Sequence, residues 1–178
     1  RVAGESLSMR AVGMSGLLSL AALFGGCGAV ASSFPEETAC PAPSPVATSR
    51  ANPGTISAQA YLRRLQEAAV TLEKLRAELR VEYPEDTFYR REEFRPDFAE
   101  YASQTVCAAQ AMFELAPPDA RFSAYDAKVD AALTDLIAHT RAGREAVRSR
   151  NVSDYRDWYS GVDARIAAVR LAASEGSP

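Results

Sequence analysis

The side chains able to carry chemistry are few. In 178 residues there are one histidine and three cysteines, so a metal or haem site has almost nothing to draw on. The histidine, His139, has Leu136 three residues before it, which removes the Glu-x-x-His pair that di-iron bundles place on their helices. No C-x-x-C-H occurs, so c-type haem has no attachment signature. The nucleophile elbow, the P-loop and the dinucleotide fingerprint are absent too. Asp126 and Asp130 lie one turn apart and could pair for acid–base work. In the first half of a helix, however, such acids suit the macrodipole as solvated charges. Arg141, Arg144 and Arg148, with Arg150 beyond, form a stripe that could bind an anion. Late in a helix they also complement its dipole and can face Asp154 and Asp157. Asn151-Val152-Ser153 matches a glycosylation sequon, but helix capping explains it better. This set points away from catalysis: we expect no enzyme, no metal and no cofactor.

Charge and composition narrow the class further. Twenty Lys and Arg against 23 Asp and Glu give a net charge of −3, so no sequence-wide basic footprint exists for nucleic acid. At 47% hydrophobic and 24% charged the chain is globular, neither disordered nor multi-span. Its length fits one ordinary domain with extensions.

The extensions come first. Met9-Arg10 precedes Ala11 to Phe24, a charge-free run of 14 residues. That is too short for a bilayer span, which takes about 20 apolar residues, and has the proportions of a signal peptide. Residues 1–8 read as an upstream stretch outside it. The next residues, Leu23-Phe24-Gly25-Gly26-Cys27, resemble the lipobox of bacterial lipoproteins. The resemblance covers the leader alone, and Phe24 stands where Leu is commoner. It implies cleavage after Gly26 and a diacylglyceryl thioether on Cys27, hence a signal peptide over 1–26 and a membrane partner through lipid. Ala29-Val30-Ala31 offers a second cleavage site that would release a soluble secreted or periplasmic protein from Ser32. Either way the protein works outside the cytoplasm.

Residues 27–55 read as a tether, with five of the ten prolines and many Ala, Ser and Thr, a composition that favours extended polyproline-like chain. Setting Cys27 aside leaves Cys40 and Cys107, an even pair in a compartment that permits disulfides. At about 100° per residue, Cys107 falls opposite Phe98 on its helix, beside Glu100, Ser103, Gln104 and Gln110. A free cysteine is normally a small buried hydrophobe, so its place on a polar face favours a bridge to Cys40. An unpaired thiol is the alternative.

From 56 to 175 only helical periods appear, which predicts an all-α domain of four helices. The first, near 57–81, carries Leu62, Leu65, Ala69, Leu72, Leu75 or Arg76, and Leu79. The second, 97–116, opens on an Asp97–Glu100 capping box and stops at Pro117-Pro118. The third runs from Asp119 to Arg150 along Phe122, Tyr125, Val129, Leu133, Leu136, Thr140, Gly143 and Val147. The fourth, 152–174, is capped by Asn151 or Ser153 and carries Tyr155, Trp158 or Tyr159, Val162, Ile166, Val169 and Ala173. Short connections favour an antiparallel up-down bundle.

That topology gathers Tyr89, Arg90, Arg91, Phe94, Arg148, Tyr155, Trp158 and Tyr159 at one pole, away from an anchor at the start of the domain. Aromatics with arginine are what interface cores enrich. The function expected is therefore a cell-envelope lipoprotein, non-catalytic, binding an unknown envelope protein or cell-wall component through this membrane-distal pole. The alternative is an extracytoplasmic small-ligand sensor or carrier with a pocket between its helices.

Overall fold

The computed structural model describes residues 34–41 and 56–175, apart from the side chain of residue 88. Cys27, the leader 1–26 and most of the tether lie outside the described residues. Four helices make up the domain: α1 (Ala58–Glu82), α2 (Phe94–Phe113), α3 (Ser123–Ser149) and α4 (Val152–Ser174). Short 3₁₀ turns at Asp86–Arg90 and Ala120–Phe122 fill two of the links. Among the described residues there is no strand, and no helix is long and apolar enough to cross a membrane.

Each helix packs against two others, α1 on α2 and α4, and α3 on α2 and α4. The expected stripes supply the core. Leu65, Ala69, Leu72 and Leu79 are buried on α1, Phe98, Ala102, Thr105, Ala109 and Met112 on α2. Val129, Leu133, Leu136, Thr140, Gly143 and Val147 are buried on α3, and Val162, Ile166, Val169 and Ala173 on α4. The choice between Leu75 and Arg76 falls on Arg76, which is 4% exposed, while Leu75 turns to the flank. Between Trp158 and Tyr159, Trp158 takes the core place.

The start of α2 differs from expectation. α2 begins at Phe94, with Pro96 as its third residue, where a missing N–H costs nothing because the first-turn N–H groups have no helical partner. Asp97 is therefore inside the helix and caps nothing; it accepts a hydrogen bond from the Tyr83 hydroxyl. The α3–α4 turn follows expectation, with Asn151 and not Ser153 as the cap. Asn151 caps α4 by accepting from the Ser153 and Asp154 amides, and Arg150 takes the left-handed conformation (φ 58°) that ends α3.

A strapped cleft and an aromatic pole

The described part of the tether packs on the bundle. Residues 34–41 lie along the outside of α2 as an extended strap, fixed at both ends. At one end the Phe34 ring sits between the Arg95 and Arg144 guanidiniums, 5.6 and 5.0 Å from its centroid. Arg144 also donates to the Pro35 carbonyl, and Glu37 pairs with Arg141 at 3.3 Å. At the other end Cys40 is disulfide-bonded to Cys107, across 67 residues of sequence. The dimensions agree with a taut strap: six residues of extended chain advance about 19 Å, and residues 95 to 107 of a helix rise about 18 Å.

The strap explains why α2 is buried more widely than its stripe predicts. Ala99 and Ser103 are 2% and 5% exposed, although both lie toward the expected polar face. Ala99, Ser103 and Cys107 form a column of small residues at i, i+4 and i+8, which lets the strap pass close to the helix. Between the strap, α2 and the flank of α1 lies a cleft of about 690 Å³. Pro35, Ala39, Pro41, Leu75, Pro96, Ala99 and Ala108 line it with apolar atoms, and Glu36, Thr38, Thr71, Glu100, Ser103 and Gln104 supply polar ones. Leu75 faces this cleft because its neighbour Arg76 occupies the core position. The volume and the mostly apolar lining fall in the range of small-ligand sites.

Sequence reasoning missed the cleft. The cysteine pair pointed to a strap, but the hollow beneath it depends on how far α1 and α2 stand apart. The column of small residues was the one signal for it, and small residues are ambiguous between close packing and open space.

The expected aromatic–arginine pole also exists, with a different division of labour. Phe94, Tyr155 and Trp158 are 1–2% exposed and belong to the core. Trp158 meets Phe98 edge-on at 4.6 Å and Tyr155 at 5.7 Å, and Phe94 meets Tyr155 at 5.6 Å. No partner could touch these three rings without opening the bundle. A Cβ on Gly143 would lie 2.4 Å from the Trp158 ring, so this glycine is what lets the indole fill the interface of α3 and α4. Tyr89 and Tyr159 are half-buried, and Arg90, Arg91 and Arg148 are exposed. Arg148 pairs with Glu145 at 2.6 Å, Arg150 with Glu92 at 2.8 Å, and Arg90 donates to the Tyr89 hydroxyl at 3.0 Å.

Beneath this pole lies a buried cation. Arg76 pairs with Asp163 at 2.7 Å and stacks over the rings of Trp158 and Tyr159, a weakly hydrated planar cation being the one that tolerates such a place. His139 sits on the α3 flank with Nε2 3.0 Å from the Trp158 carbonyl. Burial holds its pKa below the usual histidine value. No group of three or more metal-ligating side chains occurs among the described residues.

No protein-family model, curated protein or solved structure matches this chain.

Proposed function

We propose that this chain is a lipid-anchored, non-catalytic cell-envelope bundle that binds a small, largely apolar ligand in the cleft beneath its disulfide strap. One observation carries the reading: a cleft of about 690 Å³ has one wall held in place by the Cys40–Cys107 bridge. A disulfide belongs to an oxidising compartment, which agrees with the lipobox-like leader and acylation of Cys27. Glu36 and Glu100 at the cleft favour a ligand with a cationic end.

The reading of the pole as the binding surface for an envelope protein or cell-wall component loses three anchors, because Phe94, Tyr155 and Trp158 are committed to the core. The helices are read as up-down and antiparallel. Contacts between opposite ends of consecutive helices support this: Tyr125 at the start of α3 donates to the Ala173 carbonyl at the end of α4, and Arg95 at the start of α2 donates to the Arg148 carbonyl at the end of α3.

The test is native mass spectrometry of the protein purified from membranes without denaturation. A bound small molecule is expected, and Thr71→Trp with Gln104→Trp, both at exposed positions, should expel it while the fold survives. A ligand-free chain, or one whose ligand survives both substitutions, contradicts the cleft as the site. Labelled fatty acid on Cys27, lost in Cys27→Ala, tests the anchor separately.

A further inference from the structure

We propose that the arginine-rich pole is a membrane-facing surface that receives the phosphate headgroups of anionic lipid, and that the Cys40–Cys107 bridge holds it there. This rests on the reading of Cys27 as the lipid anchor. It also reverses the orientation that sequence suggests, in which this pole points away from the membrane.

The argument begins with chain length. Seven Cα steps separate Cys27 from Phe34, at most about 25 Å of chain. Phe34 is pinned at this pole, between Arg95 and Arg144. An acylated Cys27 therefore keeps the pole within about 25 Å of the bilayer. The first helix starts at the other end of the domain, where Tyr61 touches Phe122 and Tyr125. Were the strap free, the anchor would hold the bundle by that other end, through 31 Cα steps from Cys27 to Ala58 and about 100 Å of slack. The strap, held at this pole by the Phe34 contacts and tied down behind them by the bridge, thus chooses which pole meets the membrane.

The surface chemistry agrees. A recess of about 250 Å³ is lined by Tyr89, Arg90, Glu92, Arg95 and Arg150. Glu92 neutralises Arg150, whereas Arg90 and Arg95 have no carboxylate within ion-pair distance among the described residues. Arg95 has a structural task at Phe34, while the hydroxyl and ring of Tyr89 hold Arg90 in place. Guanidinium forks suit phosphate oxygens bidentately. Most cations of both poles are paired, Arg121 with Asp119 and Lys128 with Glu175 at the opposite one, Arg148 with Glu145 and Arg156 with Asp86 at this one, so the recess itself, with Arg90 and Arg95, carries the argument.

The test uses the full lipidated chain in vesicles of phosphatidylcholine, with or without phosphatidylglycerol, and a benzophenone side chain replacing Arg91 or Lys128. Adducts to lipid should form from position 91, several-fold fewer from position 128, and should increase with phosphatidylglycerol. Each of Arg90→Ala and Arg95→Ala should lower the anionic-lipid adducts about fivefold, the effect of one basic residue near such a surface. Cys40→Ser with Cys107→Ser should abolish the preference for position 91. Equal labelling from both positions with the bridge intact, or more from position 128, would overturn the proposal. The mass of the Cys27 peptide from the same samples reports the anchor independently. If Cys27 carries no acyl chain, salt-sensitive adducts from position 91 of the unanchored chain on anionic vesicles still support the headgroup surface, and their absence overturns it.

Discussion

The two ends of this bundle are closed by aromatic clusters of similar kind and different wiring. At the end where α1 begins, Tyr61, Phe122 and Tyr125 pack edge-on, and the hydroxyls are used. Tyr61 donates to the Asp126 carboxylate at 2.6 Å and Tyr125 to the Ala173 carbonyl at 3.0 Å. At the strap end more ring surface is buried, but among the described residues the Trp158 indole N–H and one Arg76 nitrogen find no hydrogen-bond partner. The Tyr101 hydroxyl lies beside the Thr105 side chain and makes no hydrogen bond of good geometry among the described residues. At the first end the ring hydroxyls bond a buried carboxylate and a helix-end carbonyl; at the other the largest rings, Trp158, Phe94 and Phe98, are held by shape and ring faces, and the directional bonds sit beside them, Tyr83 to Asp97 and Tyr159 to the Pro84 carbonyl. The difference teaches where stability resides. Polar truncation should hurt the first end, and loss of volume or of the strap the second.

The largest effect expected is at Trp158. Replacing it with Ala should cost about 3–5 kcal/mol in denaturant unfolding, as buried large-to-small changes do. Gly143→Ala should cost about 1–3 kcal/mol from overpacking against the same ring. A Trp158→Ala protein of normal stability would break the comparison, since it would mean the strap end is not held by its rings.

Opening the bridge comes next. The chain-entropy account gives a closed loop of this length roughly 4 kcal/mol, so Cys107→Ser should lower unfolding stability toward that amount. Helical content under native conditions should be preserved, because the four stripes do not include Cys40.

A sharper contrast is expected between two tyrosines. Tyr61→Phe leaves the buried Asp126 carboxylate without its Tyr61 donor, which should cost about 1.5–3 kcal/mol. Tyr101→Phe removes a hydroxyl with only a poorly formed contact to Thr105 and should change stability by about 1 kcal/mol or less. Equal losses, measured by the same unfolding assay, would erase the distinction between the ends.

The smallest effect is the alkaline one. Burial pushes Tyr101 and Tyr125 up to about 12, above the unfolded value of about 10. The neutral form is favoured in the fold, so the associated stability is present below pH about 10 and is lost as pH rises toward about 12. Tyrosinate absorbance should therefore appear together with loss of helix in this window. Smooth ionisation of every tyrosine near pH 10 with the helices intact would contradict the burial.

Much of this was legible in the sequence. The helical stripes are set by local periodicity, and the cysteine bridge by parity and by the face on which Cys107 lies. Less legible was anything that depends on which neighbour covers a face. Arg76 and Leu75 are interchangeable by period, and only the Trp158–Asp163 environment selects the arginine for the core. The aromatics of the pole read as an interface because composition cannot separate a ring that fills a bundle end from one that awaits a partner. Pro96 read as a boundary, yet the first turn of a helix accepts it. The cleft was invisible for the same reason, being a space between elements and not a property of any one of them.

The central claim is that the disulfide-tied strap builds a ligand site on α1 and α2. Backbone amide signals followed during titration with decylammonium, and with decanoate as the anionic counterpart, test it most directly. The account predicts that the cation shifts the signals of Thr71, Leu75, Ala99, Ser103 and Ala108, that decanoate does so far less, and that reducing the bridge removes the response. Absence of shifts at these residues with the bridge intact, or an unchanged response after reduction, would contradict it.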